Sequence, residues 1–162
     1  MSASEFRTSD RTAPPGLPTL PGLPASGQIR RLTLAGTQGT VGRCRDHTRQ
    51  ALNDWGLLPT EDPDQQARAD DLLLVVSELV TNACQHTGGA DQLVLRASAR
   101  TIHIEVFDAV AAPPVPRLPH TPGRPGGHGL HTVALLASRW GHTPRTDGPG
   151  KAVWAEIDLP AG

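Results

Sequence analysis

The sequence predicts an α+β fold, a two-layer sandwich in which helices cover one face of a mostly antiparallel sheet. Two observations predict it. Segments with helical and strand-like patterns follow one another as strand, helix, helix, hairpin, loop, helix and hairpin. Within the first hairpin a short connection joins the two strand-like segments, which favours antiparallel pairing. A chain of 162 residues is long enough for one such domain and short for two.

The beginning of the chain, residues 1–27, is predicted to be a disordered tail. Pro, Gly, Ser and Thr dominate this segment, as in "APPGLPTLPGLPASG". A segment of this composition buries too little apolar surface to offset the entropy that is lost on ordering. The folded domain is therefore expected to occupy residues 28–162.

The first strand and the first helix are expected directly after the tail. The segment "IRRLTLAG" has the character of a strand. From about residue 38 to residue 52, apolar and small residues recur at helical spacing, namely Val41, Cys44, Thr48 and Leu52. Gly56 and Pro59 are stop signals that end this helix.

The segment "EDPDQQARADDLLLVVSELVTNACQH" gives the strongest helix prediction in the chain. Asp62 is suited to cap its N-terminus, and Pro63 is suited to the first helical position. The glycines of "TGGA" follow at the usual stop position. One stripe along this helix is apolar and consists of Leu72, Val76, Leu79, Val80 and Ala83. Another stripe is polar and consists of Glu78, Asn82 and His86.

The second half of the chain predicts a hairpin, a loop, a third helix and two more strands. The runs "DQLVLRASA" and "TIHIEVFDA" predict an antiparallel hairpin, the second run with the alternation of a half-buried strand. A Pro-rich loop from about Ala109 to Gly126 follows, and loops of this length are usually functional. The next helix begins at Gly129, and its apolar face consists of Leu130, Val133, Ala137 and Trp140. Strands around "HTPRT" and "KAVWAEIDL" complete the domain.

Composition and charge argue against several classes of protein. The formal net charge is −1 and there is no long basic block, which argues against direct nucleic-acid binding. No stretch approaches the roughly 20 apolar residues that span a membrane, and no secretory signal is visible. Cys44 and Cys84 are interpreted as small core residues in a reducing compartment. We therefore expect a cytoplasmic protein.

The polar stripe has two interpretations. Polar residues four apart form the solvent side of any amphipathic helix. Two other features favour a binding site instead: Asp108 ends a strand, and "GGHGL" begins a helix whose free N–H groups attract phosphate. Asn82 offers a neutral oxygen that suits Mg²⁺, and Glu78 is placed to accept a proton or orient a nucleophile. Together these residues predict a Mg-nucleotide pocket, with Asp108 accepting a hydrogen bond from an exocyclic amine such as that of adenine.

Other motifs give weaker indications. "GHGLHT" resembles a dinucleotide-binding fingerprint, but Thr132 occupies its last position and no strand precedes it. The sequence contains no "GxxxxGK[ST]", which excludes a conventional P-loop. His120, His128 and His131 fit no standard zinc spacing. Ser77 lies in the middle of a predicted helix, without the sharp turn that exposes a nucleophilic serine.

The segments "LLLVVSELVTNACQH", "VFDA" and "GGHGL", in this order and at this spacing, resemble the GHKL family of ATP-binding domains. These domains occur in gyrase, a heat-shock chaperone, histidine kinases and a mismatch-repair ATPase. "WGLLP" and "GHGLHTVALLASRWG" look typical of a small stand-alone branch, the anti-sigma-factor serine/threonine kinases. The resemblance covers residues 28–159. It implies a Bergerat-type ATP-binding fold with ATP and Mg²⁺ as its ligands.

The resemblance also implies a role for each matching residue. Glu78 matches the catalytic glutamate, Asn82 the magnesium-binding asparagine and Asp108 the aspartate that reads adenine. His86 matches a position that commonly lies near the phosphates. The end of the loop supplies the other candidate nucleotide-binding residues, which are Arg124, Gly127, His128, Gly129 and Leu130.

Three positions depart from the pattern of the family. Val110 stands where a glycine often gives adenine room, and His128 stands where this branch often has arginine. On the last strand, "GKAVW" offers Lys151 where larger members use a threonine. These departures make phosphotransfer a less direct implication of the resemblance than nucleotide binding.

Two functions are consistent with this sequence. The leading hypothesis is a protein serine/threonine kinase that phosphorylates a small antagonist protein, similar to an anti-anti-sigma factor, and sequesters a sigma factor. The alternative is an ATP-gated protein-binding module, in which ATP orders the loop and no phosphoryl group is transferred. In both hypotheses the partners are ATP and proteins, with neither nucleic acid nor membrane, and a homodimer is left open.

Overall fold

The computed structural model describes residues 27–36, 38–114 and 129–159, which form five strands and three helices. The strands are β1 (Gln28–Thr33), β2 (Gln92–Ala97), β3 (Thr101–Asp108), β4 (Arg139–Pro144) and β5 (Lys151–Asp158). The helices are α1 (Thr40–Asp54), α2 (Pro63–His86) and α3 (Gly129–Leu136). Along the chain they run β1-α1-α2-β2-β3-α3-β4-β5, which is the order that the sequence predicts.

The strands form one antiparallel sheet in the order β1-β2-β3-β5-β4. Side chains alternate between its two faces, as they must along any strand. On β3, Ile102, Ile104 and Val106 are buried in the core, while His103 and Glu105 lie on the opposite face. The helices supply the other half of that core. The predicted α+β sandwich is therefore confirmed.

Helix α2 is the central element of the helical layer and packs against both α1 and α3. Its N-terminus forms as the sequence predicts: Pro63 is the first helical residue, and Asp62 accepts a hydrogen bond from the backbone N–H of Asp64 (2.9 Å). The predicted apolar stripe is buried throughout, at Leu72, Val76, Leu79, Val80 and Ala83.

The boundary between α3 and β4 differs from the prediction. Helix α3 ends at Leu136, and Trp140 lies in β4 opposite Ala155 of β5. The backbone N–H of Ser138 donates to the carbonyl of Glu156 (2.8 Å), so the chain leaves the helix to pair with β5. The spacing of the predicted apolar face fits a helix, but Trp140 packs against the core from a strand instead, where it is partly buried.

The two cysteines lie in different environments. Cys44 is fully buried, and this burial raises the pKa of its thiol to about 12. Cys84 is exposed, so its assignment to the core was wrong. It lies in the last turn of α2, where the neighbouring Gln85 and His86 are exposed too. The end of the helix has left the core at this point, and the residues that follow Cys84 in it are polar.

Some predictions fall on residues that the structure does not describe. These are residues 1–26 of the predicted tail and residues 115–126 of the predicted loop. Among the helices of the described residues, none is long and apolar enough to span a membrane.

Candidate functional site

The polar stripe of α2 runs from the interior of the domain to its surface. Asn82 is only 8% exposed, Glu78 is half-buried and His86 is exposed. A stripe that served only as the solvent side of the helix would expose all three side chains. A carboxamide buried one turn from a half-buried carboxylate favours a binding site.

A hydrogen-bonded contact from α1 supports the helix just before Glu78. The guanidinium of Arg45 donates to the hydroxyl of Ser77 (3.0 Å), and this hydroxyl donates to the carbonyl of Leu73 (2.8 Å). The Ser77 hydroxyl is buried and bonded to the backbone of its own helix. This position argues against a nucleophilic serine and assigns Ser77 a structural role.

Asp108 ends β3 on the face of the sheet that the helices cover, and it is 1% exposed. Lys151, the first residue of β5, lies directly opposite and is also buried. The Lys151 ammonium donates to Asp108 Oδ1 (3.1 Å) and to the carbonyl of Val110 (2.9 Å). The backbone N–H of Val110 donates to the same Oδ1 (2.9 Å). The candidate base-reading carboxylate is therefore one half of a buried ion pair.

The second carboxylate oxygen of Asp108 is bonded differently from the first. Lys151 Nζ lies 3.1 Å from Oδ2 as well, but this contact lacks the geometry of a hydrogen bond. Within the described part of the chain, no group donates a hydrogen bond to Oδ2, which is buried. The ammonium balances the charge of this oxygen, and its capacity to accept a hydrogen bond is left for a ligand.

The connection between β4 and β5 holds the end of β3 in place. Gly150 has φ +118°, and a Cβ there would lie 2.0 Å from the carbonyl oxygen of Asp108, so only glycine fits. Arg145 donates to that same carbonyl (3.3 Å) and to the carboxylate of Asp91 (2.7 Å). Its guanidinium also lies over the ring of Phe107, 5.6 Å from the centroid.

The segment after α2 brings the C-terminal ends of α2 and β3 to the same end of the domain. The backbone N–H of Thr87 closes the helix on the carbonyl of Ala83 (3.0 Å). The chain then turns, and the N–H of Asp91 donates to the carbonyl of Phe107 (2.8 Å), next to Asp108. Asn82, one turn before the end of α2, therefore lies at the same end of the domain as Asp108.

The described part of the "GGHGL" segment begins with α3. Gly129 is the first residue of the helix, with φ +27°. The side chain of Leu130 is buried in the core, in one cluster with residues of α2. If Leu130 contacts a nucleotide, it therefore does so through its backbone. The other candidate residues of this segment, Arg124, Gly127 and His128, lie outside the described residues.

The donor groups fit a magnesium ion that is held mainly by phosphate. In the described ranges, no cluster of three or more His, Cys, Asp or Glu residues is placed to hold a metal. The buried Asn82 offers one neutral oxygen. Mg²⁺ usually keeps several waters and binds through one or two protein oxygens together with substrate phosphates. A metal at Asn82 would accordingly take most of its ligands from a triphosphate and from water.

Sequence reasoning missed the groups that fix Asp108. It noted Lys151 only as the replacement for a threonine and did not single out Arg145 or Gly150. One pattern could have identified the lysine: Lys151, Val153, Ala155 and Ile157 alternate along β5 and are all buried. A lysine on the inward side of a core strand requires a buried partner of opposite charge. The choice of Asp108 as that partner depends on the strand register, which the sequence does not state.

Comparison with protein families shows where the chain belongs. A family model described as a histidine kinase-like ATPase domain matches residues 37–157, and no curated protein matches the chain. The match covers most of the chain, including α2, the end of β3 and the beginning of α3. Domains of this type bind ATP. The chain therefore belongs to the family of histidine kinase-like (GHKL-type) ATPase domains.

Proposed function

We propose that this protein is an ATP·Mg-binding regulatory kinase that phosphorylates a serine or threonine of a small antagonist protein. Anti-sigma-factor kinases, which the sequence resembles, are of this kind. The observation that carries the proposal is the pair on α2, with the buried Asn82 one turn after the half-buried Glu78. A helix built only for packing would place apolar residues at the buried position.

In this proposal each residue of the pair has its own task. Asn82 would contribute an oxygen to the Mg²⁺ of a bound nucleotide, and this ion would supply charge neutralisation at the phosphates. Glu78 accepts the proton of the substrate hydroxyl as its oxygen attacks the γ-phosphorus. The bond from that phosphorus to the bridging β–γ oxygen breaks, and ADP leaves. Phosphoryl transfer asks for positioning and charge neutralisation rather than for covalent chemistry by the protein.

The remaining candidate residues would hold the nucleotide. Asp108 accepts a hydrogen bond from the adenine amine, and the amides near Gly127 and Gly129 contact the phosphates. His86 and Arg124 are the side chains proposed to bind the phosphates, and His128 stands where related kinases often have the permanently charged arginine. The protein acts in the cytoplasm, and its protein partners are a sigma factor and a phosphorylatable antagonist.

The test of the kinase is the variant Glu78→Gln. It removes the proton acceptor and keeps the size of the side chain, so transfer of labelled γ-phosphate to the partner should fall at least about 100-fold. The affinity for ATP should change little, because the glutamate acts on the hydroxyl. Glu61→Gln makes the same change at an exposed position and serves as the control. Equal transfer by wild type and Glu78→Gln would refute the role of Glu78.

A second function is favoured by the departures from the family pattern. Lys151 stands where larger members have a threonine, and it forms an ion pair with Asp108. If ATP is only a structural ligand, its binding orders the loop and creates a surface for a partner protein. Incubation with γ-labelled ATP and candidate partners separates the two functions, since only a kinase leaves label on a serine or threonine. Partner binding that requires ATP and leaves no label would establish the second function.

A further inference from the structure

We propose that Lys151 is a specificity-determining residue that reads the ring N1 of adenine, beside the carboxylate that reads the 6-amino group. This inference rests on the proposed nucleotide site and adds a contact to it. The family pattern puts a neutral hydroxyl at this place on the last strand, whereas this chain puts a buried cation there.

The first support is the position of the ammonium. Asp108 and Lys151 are paired across β3 and β5, and both side chains are at most 4% exposed. Of the three N–H groups of Lys151, one donates to Asp108 Oδ1 and one to the carbonyl of Val110. Among the described residues these are its hydrogen-bond acceptors, which leaves one N–H to offer to a ligand.

The second support is the neighbouring acceptor. Asp108 Oδ2 is buried, and nothing in residues 27–36, 38–114 and 129–159 donates a hydrogen bond to it. Its distance to Lys151 Nζ is 3.1 Å. One acceptor and one donor therefore lie side by side. The edge of adenine carries the complementary pair, a 6-amino donor next to the acceptor N1.

The order of donor and acceptor is fixed by the backbone of Val110. Its N–H holds Oδ1 of Asp108 (2.9 Å), and its carbonyl holds the ammonium of Lys151 (2.9 Å). Guanine presents a carbonyl at position 6 and an N–H at N1, which is the reverse order. A carbonyl would then face the carboxylate, so the pair should select adenine over guanine. A charged donor also makes a stronger hydrogen bond than a hydroxyl does.

The test combines a change in the protein with a change in the ligand. Wild type and Lys151→Met are titrated with ATP and with 1-deaza-ATP, in which N1 is replaced by C–H, and affinities are measured by calorimetry. Wild type should bind ATP at least about tenfold tighter than 1-deaza-ATP, since a hydrogen bond to a charged donor is lost. Lys151→Met should bind the two nucleotides equally. The same preference in both proteins would overturn the inference.

Two further variants keep the test decisive if Lys151→Met does not fold. Asp108→Leu with Lys151→Met removes both charges and introduces no new donor or acceptor, so no unpaired ion is left in the interior. This double variant should also bind ATP and 1-deaza-ATP with equal affinity. Lys151→Arg keeps the cation and should keep the preference for ATP. A double variant that folds and still prefers ATP as strongly as wild type would show that the lysine serves only to balance the charge of Asp108.

The inference and the proposed function fail in different ways. If wild type binds no ATP, both are wrong. If wild type binds ATP with the same affinity as 1-deaza-ATP, the nucleotide site stands and the role of Lys151 is wrong. Titration with GTP gives an independent check, since wild type should bind it more weakly than ATP and Lys151→Met should narrow the difference.

Discussion

Charged side chains lie on both faces of β3 and β5, and the two faces use them differently. On the inner face, which the helices cover, Asp108 and Lys151 form one isolated pair that is at most 4% exposed. On the other face, ion pairs link a row of five side chains that we call the outer ladder: Arg96, Glu105, His103, Glu156 and Arg139. Their exposed fractions range from 15% to 51%.

The two faces differ in how much the loss of one charged side chain should cost in stability, and the extent of burial determines this cost more than the number of ion pairs does. The members of the outer ladder are all partly exposed to water, so each pair is expected to contribute little to stability. Asp108 and Lys151 depend on each other and on Val110. A buried pair of this kind adds little net stability, but the loss of one partner is costly. Such a pair is better explained by a role in binding.

The largest effect is expected when the inner pair is broken. Lys151→Met leaves the carboxylate of Asp108 buried without its cation, which should lower the free energy of unfolding by about 3–5 kcal/mol. Urea denaturation of wild type and variant measures this difference in the free energy of unfolding. The double variant of Asp108→Leu with Lys151→Met should recover much of this loss, because neither charge remains. A loss below about 1 kcal/mol in the single variant would show that the Asp108 carboxylate does not depend on Lys151 for its stability.

A slightly smaller effect is expected at the connection that holds β3. Gly150→Ala places a Cβ on the carbonyl oxygen of Asp108 and forces φ +118° on alanine, so stability should fall by about 2–3 kcal/mol. The affinity for ATP should fall with it, because Asp108 must move. The control is Gly88→Ala, which also has a positive φ of +79° but has open space around its Cβ. If both variants lose the same stability, the close approach at Gly150 is unimportant.

The outer ladder should respond more weakly and mainly to acid. A hydrogen bond from His103 lowers the pKa of Glu105 below its ordinary value of 4.5. Because the unfolded chain takes up this proton first, the stabilisation is complete above about pH 4.5 and is lost as the pH falls through the folded-state pKa. Glu105→Gln should therefore cost about 0.5–1 kcal/mol at pH 7 and flatten the acid side of the stability profile. Parallel profiles for both proteins would contradict this.

The smallest effect is expected at the exposed end of the ladder. Arg139 contacts Glu156 (3.4 Å) and Asp158 (2.5 Å) and is half exposed. Arg139→Ala should leave the melting temperature unchanged within error, both at low ionic strength and at 0.5 M salt, where exposed pairs are screened. A clear drop at low ionic strength that disappears at 0.5 M salt would mean that this exposed pair contributes to stability.

The sequence predicts elements well where local signals agree. The cap at Asp62, the proline at Pro63 and the apolar stripe of α2 indicate one helix, and that helix forms. Alternation along β3 predicts its buried side in the same way. The end of α3 is the opposite case, because Trp140 fits both a helical stripe and a strand. Whether Trp140 lies in the helix or in the strand depends on pairing with β5, which is a long-range contact.

In the candidate site, too, some residues can be predicted from local sequence and others depend on long-range contacts. Glu78, Asn82 and Asp108 can be found from spacing and residue type. Lys151 and Gly150 matter because strand register places them beside Asp108, and no local pattern encodes that register. Cys84 shows a related error for burial, since it follows the buried Ala83 directly but lies at the end of the helix, which is exposed to solvent.

The central claim is that ATP·Mg binds between Asn82 on α2 and Asp108 on β3. Its most direct test is calorimetric titration of ATP, with and without Mg²⁺, into wild type, Asn82→Ala and Asp108→Asn. Wild type should bind ATP more tightly with Mg²⁺. Asn82→Ala should lose this dependence on the metal, and Asp108→Asn should bind at least about tenfold more weakly in both conditions. Wild-type affinity and metal dependence in both variants would contradict the claim.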